Sequence, residues 1–212
     1  GKLWTDGVVI TTKKLVRDII DKPQKNVNLT FEGDLAETFI PLGSMHADQR
    51  LGMEDITSED LVMLCVDVLQ NMLLDLYKAG KNVTFNGLWG NHDRFTEKKE
   101  FDPFRTPAMI VYRFLQKMVE DTTIKVNILR DKANIIYSDG VKYVHLHGDS
   151  FSEAELKRRA LNDIEDGIML VYITADRHHS KTLELSDRIF WVQVGSFAGQ
   201  WQFDKSLWMK SN

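Results

Sequence analysis

Apolar positions recur every three or four residues in some stretches and every second residue in others, and the two periods predict different elements. From Thr12 to Lys22, Leu15, Val16, Ile19 and Ile20 share one face of a predicted helix that Pro23 closes. The longest predicted helix runs from Ser58 to Ala79, with Leu61, Leu64, Val68, Leu69, Met72, Leu73 and Leu76 as its stripe and Gly80 as its stop. Two more cover Pro107 to Glu120 and Ser152 to Asp163, the first with proline where a missing N–H does no harm. Strands are predicted at Val27–Phe31, Val83–Leu88, Val126–Leu129, Ile135–Tyr137, Val141–His147, Ile168–Thr174 and Ile189–Val194. Helix and strand alternate early and strands dominate late. That order predicts an α/β protein built as a two-sheet β-sandwich flanked by helices.

At 212 residues, with four prolines, no low-complexity stretch and no repeat, residues 1–212 read as one domain. The lone cysteine, Cys65, lies in an apolar helical run, which fits a buried inert thiol and a reducing, cytoplasmic setting. A net charge of −4 argues against nucleic-acid binding through surface charge alone. Lys13–Lys14, Lys98–Lys99 and Lys157–Arg159 are scattered and read as solvated helix faces. No apolar run approaches the roughly 20 residues of a membrane span, so no membrane partner is expected. The chain opens on Gly1 rather than Met and ends just after a Trp- and Phe-rich stretch, so both ends read as cut from a longer protein.

Candidate chemistry gathers where strands end. Five of the six histidines, His92, His145, His147, His178 and His179, fall there; His46 sits in a polar loop. Loops at strand ends are where α/β proteins collect catalytic groups. Gly33-Asp34 follows the first strand and Gly90-Asn91-His92-Asp93-Arg94 the second; His147-Gly148-Asp149 and Ala175-Asp176-Arg177-His178-His179 follow later ones. Glycine permits the sharp turn that presents the next side chain to a shared cleft. Each cluster alone is also what a capped turn looks like. Together they supply oxygen and nitrogen donors suited to Mn, Fe or Zn.

In this order the elements resemble the signature of calcineurin-like metallophosphoesterases: Gly-Asp, then Gly-Asn-His-Asp, then a strand-end His, then Gly-His-x-His. The resemblance spans Gly33 to His179 and implies a four-layer α/β/β/α fold. It also implies two divalent metal ions, Mn foremost and Fe or Zn as alternatives. Asp34 would bridge the metals, Asn91 and His147 would bind the second, and His178 the first. His92, held by Asp93, would be the catalytic acid. Two cations roughly 3.5–4 Å apart polarise a phosphoryl group and acidify water. The implied substrate is a phosphoester, with DNA preferred by likeness to phage and DNA-repair members.

Two departures qualify the resemblance. The family opens with Asp-x-His, and none occurs before Asp34, which suggests that this motif and its strand lay upstream. Ala175-Asp176-Arg177-His178 stands where Gly-His-x-His is expected, so Asp176 would replace a histidine ligand or mark a weakened site. This chain is therefore expected to hold at most one metal tightly, on the Asn91–His147 side, and to turn over little. The rival expectation is a catalytically weakened binding or scaffold module on the same fold.

Overall fold

A computed structural model describes residues 2–34, 58–91, 93, 102, 105–131, 133–149, 151–176 and 180–195. The chain is mixed α/β, with two sheets and, among the described residues, four helices.

The first sheet has the order β1 (Asn26–Phe31), β2 (Asn82–Gly87), β3 (Lys125–Ile128), all parallel. Helix α1 (Lys2–Ile20) precedes it, α2 (Ser58–Lys78) lies between β1 and β2, and α3 (Pro107–Met118) between β2 and β3. Val27, Leu29 and Phe31 of β1 and Val83 and Phe85 of β2 pack on the core these helices cover. The opposite face is a row of amides and hydroxyls. Asn82 donates to Asn26 at 3.0 Å and Asn127 to Asn86 at 2.9 Å, so that face is stitched rather than greasy.

Helix α2 buries Leu61, Val62, Cys65, Val66, Leu69, Met72, Leu73 and Leu76. The expected stripe is rotated slightly: Leu64 and Val68 are only half-buried, because Val62, Cys65 and Val66 face the core instead. Each such aliphatic side chain contributes roughly 1.5–3 kcal/mol on burial. Burial, followed by the charge of Asp93, pushes the Cys65 thiol up to about 12. No thiolate is available near neutral pH. Gly80 ends the helix with a left-handed φ of 78°, as its sequence position suggests. Thr106 caps α3 by accepting the N–H of Met109 at 3.2 Å, with Pro107 next in line.

The second sheet has the order β4 (Ala133–Ser138), β5 (Val141–Leu146), β6 (Met169–Thr174), β8 (Ile189–Gln193), β7 (Lys181–Ser186). β5, β6 and β8 are parallel, and β4 and β7 run antiparallel at the edges. Asp139 and Gly140, both at positive φ (51° and 77°), make the tight β4–β5 turn. Helix α4 (Glu153–Asp163) packs Leu156 and Ala160 on a separate core of Val144, Leu146, Leu170, Tyr172, Ile189 and Trp191. Asn134 of β4 donates to Thr30 of β1 at 3.1 Å, one of the bonds that join the two sheets.

Two expectations need correction. The first helix begins at Lys2, not Thr12. Gly7 and the β-branched Val8, Val9, Ile10, Thr11 and Thr12 lower helix propensity and hid its first half. Strand β7 was not foreseen. Only Leu183 and Leu185 of it are half-buried, as befits an edge strand, and the polar residues between them blur the pattern.

Candidate metal centre

Parallel pairing brings the ends of β1 and β2 side by side, and likewise the ends of β5 and β6. Gly33 and Gly90 then touch backbone to backbone. A Cβ on Gly33 would sit 2.5 Å from the Gly90 nitrogen, and Gly33 itself has a φ of +90°. Only glycine fits either requirement. Asp93, fully buried, ties the same two loops: its Oδ2 accepts the N–H of Asp34 and that of Gly90, both at 2.8 Å. Tyr112 anchors the approach, its ring so close to Gly87 that a Cβ there would stand 2.5 Å from it, and its hydroxyl donating to the Leu88 carbonyl at 2.8 Å.

His147 is the hub. Its Nδ1 donates to the backbone carbonyl of Glu32, and a carbonyl only accepts, so that nitrogen carries a proton. Its Nε2 therefore meets three oxygens as either an N–H or a bare lone pair. Asn91 Oδ1 lies at 2.8 Å, Asp34 Oδ2 at 3.2 Å and Asp176 Oδ1 at 3.7 Å. Burial lowers the pKa of the ring. The hydrogen bond and charge of Asp34, the Glu32 carbonyl and the charge of Asp176 outweigh burial and raise it to about 9.

Donor atoms of Asp34, His147 and Asp176 all lie within 4.8 Å of one another. Two donors bound about 2.1 Å from one cation stand roughly 3.0–3.4 Å apart in octahedral or tetrahedral geometry, close to the spacings around His147. Two carboxylates, one amide oxygen and one imidazole form an oxygen-rich set that fits a hard or borderline divalent ion. A dication would balance both carboxylates, whereas an imidazolium balances only one. The residues fit a metal. Asp34 and Asp176 also hold left-handed backbones, with φ of 56° and 68°. Strain at non-glycine positions gathers where function over-determines the geometry.

Behind the hub lies Glu32, buried, whose Oε1 is 2.9 Å from Nδ1 of His145. Burial raises its pKa, against the lowering effect of His145 and His147.

Of the residues singled out by sequence, Asp34, Asn91, His147 and Asp176 converge, and Asp93 lies at the junction of the loops that carry the first two. His92, His178, His179 and His46 lie outside the described residues. Glu32 was not foreseen. Its signal was faint: an acid directly before the Gly33-Asp34 turn, facing a strand with histidines at alternate positions. No protein-family model matches the chain, and no curated protein is significantly similar to it. Among the described residues, no helix is long and apolar enough to cross a membrane.

Proposed function

We propose that the chain is the core of a metal-dependent phosphoester hydrolase of the calcineurin-like type, with its two sheets stacked between helical layers. The carrying observation is the convergence of Asp34, Asn91, His147 and Asp176 from four strand ends, in the order that family uses. A bound divalent ion, Mn foremost, would supply Lewis acidity toward a phosphoryl oxygen and toward water. Asp34 and Asp176 would hold it by charge, Asn91 by a neutral oxygen and His147 by Nε2, with the Glu32 carbonyl fixing the ring tautomer. His92 protonates the leaving oxygen. By the same likeness we propose a second such ion and a phosphodiester substrate, with DNA preferred.

A weakened binding module is the second reading, favoured by Asp176 where the family has histidine. Elemental analysis with a bis-p-nitrophenyl phosphate assay in added Mn²⁺ separates the two. We expect one tightly bound metal in this chain, and turnover only when an Asp-x-His segment is joined ahead of it. In that form His92→Ala should cost about 10²–10⁴-fold in turnover at unchanged metal content. A metal-free wild-type chain would overturn the hydrolase reading, and a metal-loaded longer form with no turnover would favour the binding module.

A further inference from the structure

We propose that Glu32 is the positioning residue of this centre, gripping at once His145 of β5 and His147 just past its end; the inference rests on reading Asp34, Asn91, His147 and Asp176 as metal ligands. Alternate residues of a strand share a face, so His145 and His147 point the same way, roughly 7 Å apart. Glu32 meets both. Its backbone carbonyl accepts from Nδ1 of His147, and its carboxylate lies 2.9 Å from Nδ1 of His145. One hydrogen bond fixes the tautomer of His147 but leaves the strand free to pivot about it. The second, two residues back, removes that pivot.

The consequence follows from where Glu32 sits. It lies two positions before Asp34, directly after β1 of the first sheet, while His147 directly follows β5 of the second. The distance between these ligands, 3.2 Å, is therefore set by how the end of β1 is fastened to β5. A polar side chain that bonds to a ligand's own strand is the kind of outer contact that tunes metal affinity. Glu32 is also held at a cost. It is 8% exposed, and its Oε2 is buried with no hydrogen-bond partner among the described residues. A core acid so incompletely satisfied is destabilising by itself. Such exceptions to good packing concentrate where function needs them.

The test is Mn²⁺ titration of wild type and variants, each held well below its own melting temperature. Glu32→Ala and His145→Ala should each weaken binding about 10–100-fold. The double variant should be no weaker than the worse single one, since both act through one contact. Glu32→Gln keeps an oxygen and an N–H at the same place, so it pairs with either tautomer of His145 and should bind within about twofold of wild type. His145→Asn, which keeps a donor near the Nδ1 position, should restore most of the loss. A purely structural pair would lower the melting temperature and leave affinity alone; that result, or additive losses, overturns the inference. Should Glu32→Ala fail to fold, the contrast between His145→Ala and His145→Asn decides. Wild type that binds no Mn²⁺ would sink the metal reading and this inference with it, whereas wild type and variants binding alike would sink the inference alone.

Discussion

The carboxylate of Asp93 accepts the backbone N–H of Asp34 at 2.8 Å, across 59 positions of chain. The same oxygen takes the N–H of Gly90, so one buried side chain satisfies donors from two strand-end loops. Asp93→Ala orphans both donors, at about 1–3 kcal/mol each. We expect the metal-free melting temperature to fall by on the order of 10 °C, given about 2–4 °C per kcal/mol at this size. Asp93→Asn keeps one acceptor oxygen and should fall by less. Differential scanning calorimetry in chelator checks both, and an Asp93→Ala variant as stable as wild type would refute the clamp.

Gly90→Ala should damage the site more specifically. A Cβ there would stand 2.1 Å from Asp34 Oδ1 and 2.2 Å from the Asp34 nitrogen. The carboxylate must swing away and the loops part, so metal affinity falls together with stability. Gly80→Ala is the control. No atom lies within 4 Å of its would-be Cβ, so it bears only the left-handed backbone penalty, about 1–2 kcal/mol, at the end of α2. Calorimetric titration should show affinity lost in the first variant and kept in the second.

If His147 is a ligand, proton and metal should compete for its Nε2. In the metal-free protein its pKa stands at about 9, above the roughly 6.5 of an unfolded histidine. The stability this contributes is full below the unfolded value and is lost as pH rises through the folded one. Metal-free protein should thus be more stable at about pH 6 than at about pH 9.5, by at most about 3 kcal/mol from this group. Metal affinity should run the other way, rising up to about tenfold per pH unit toward pH 9 as the competing proton leaves. Melting curves with and without Mn²⁺ at the two pH values read both slopes, and parallel slopes would refute the competition.

If Asp176 is a ligand, it should influence which ion the site prefers. Asp176→Ala removes a charged donor and should weaken Mn²⁺ binding about tenfold or more. Asp176→His is sterically reasonable, because histidine is among the residues that tolerate the left-handed backbone found there. Exchanging an oxygen donor for an imidazole should shift preference from Mn²⁺ toward Zn²⁺. Competition titration measures the ratio. An unchanged ratio would mean that Asp176 does not touch the ion.

The elements that sequence foretold best were those with one unambiguous face. Helix α2 carries a long apolar stripe closed by glycine, the strand leading to Asn91 alternates apolar and polar residues before its glycine, and the boundaries of both fell within a residue or two. Strand β7 and the first half of α1 did not show, since an edge strand buries little and Gly7 with its β-branched neighbours reads poorly as helix. Asp34, Asn91 and His147 were legible because each follows an apolar strand and stands beside a glycine. Glu32 was not, for its role depends on a strand 113 residues away. A hydrogen bond between distant segments leaves no period in the chain.

The described residues form two hydrophobic clusters, one under each sheet. Asp34 and Asn91 ride on the first, His147 and Asp176 on the second. An ion gripped by all four makes the melting of either half conditional on the other. Without it, the hydrogen bonds that join the halves among the described residues include Asn134 to Thr30 and His145 to Glu32. Heating should then resolve into two overlapping calorimetric transitions in chelator and one in Mn²⁺. If the ion is held as proposed, its largest signature in solution should be the cooperativity of unfolding, visible in the width of the transition before any substrate is added.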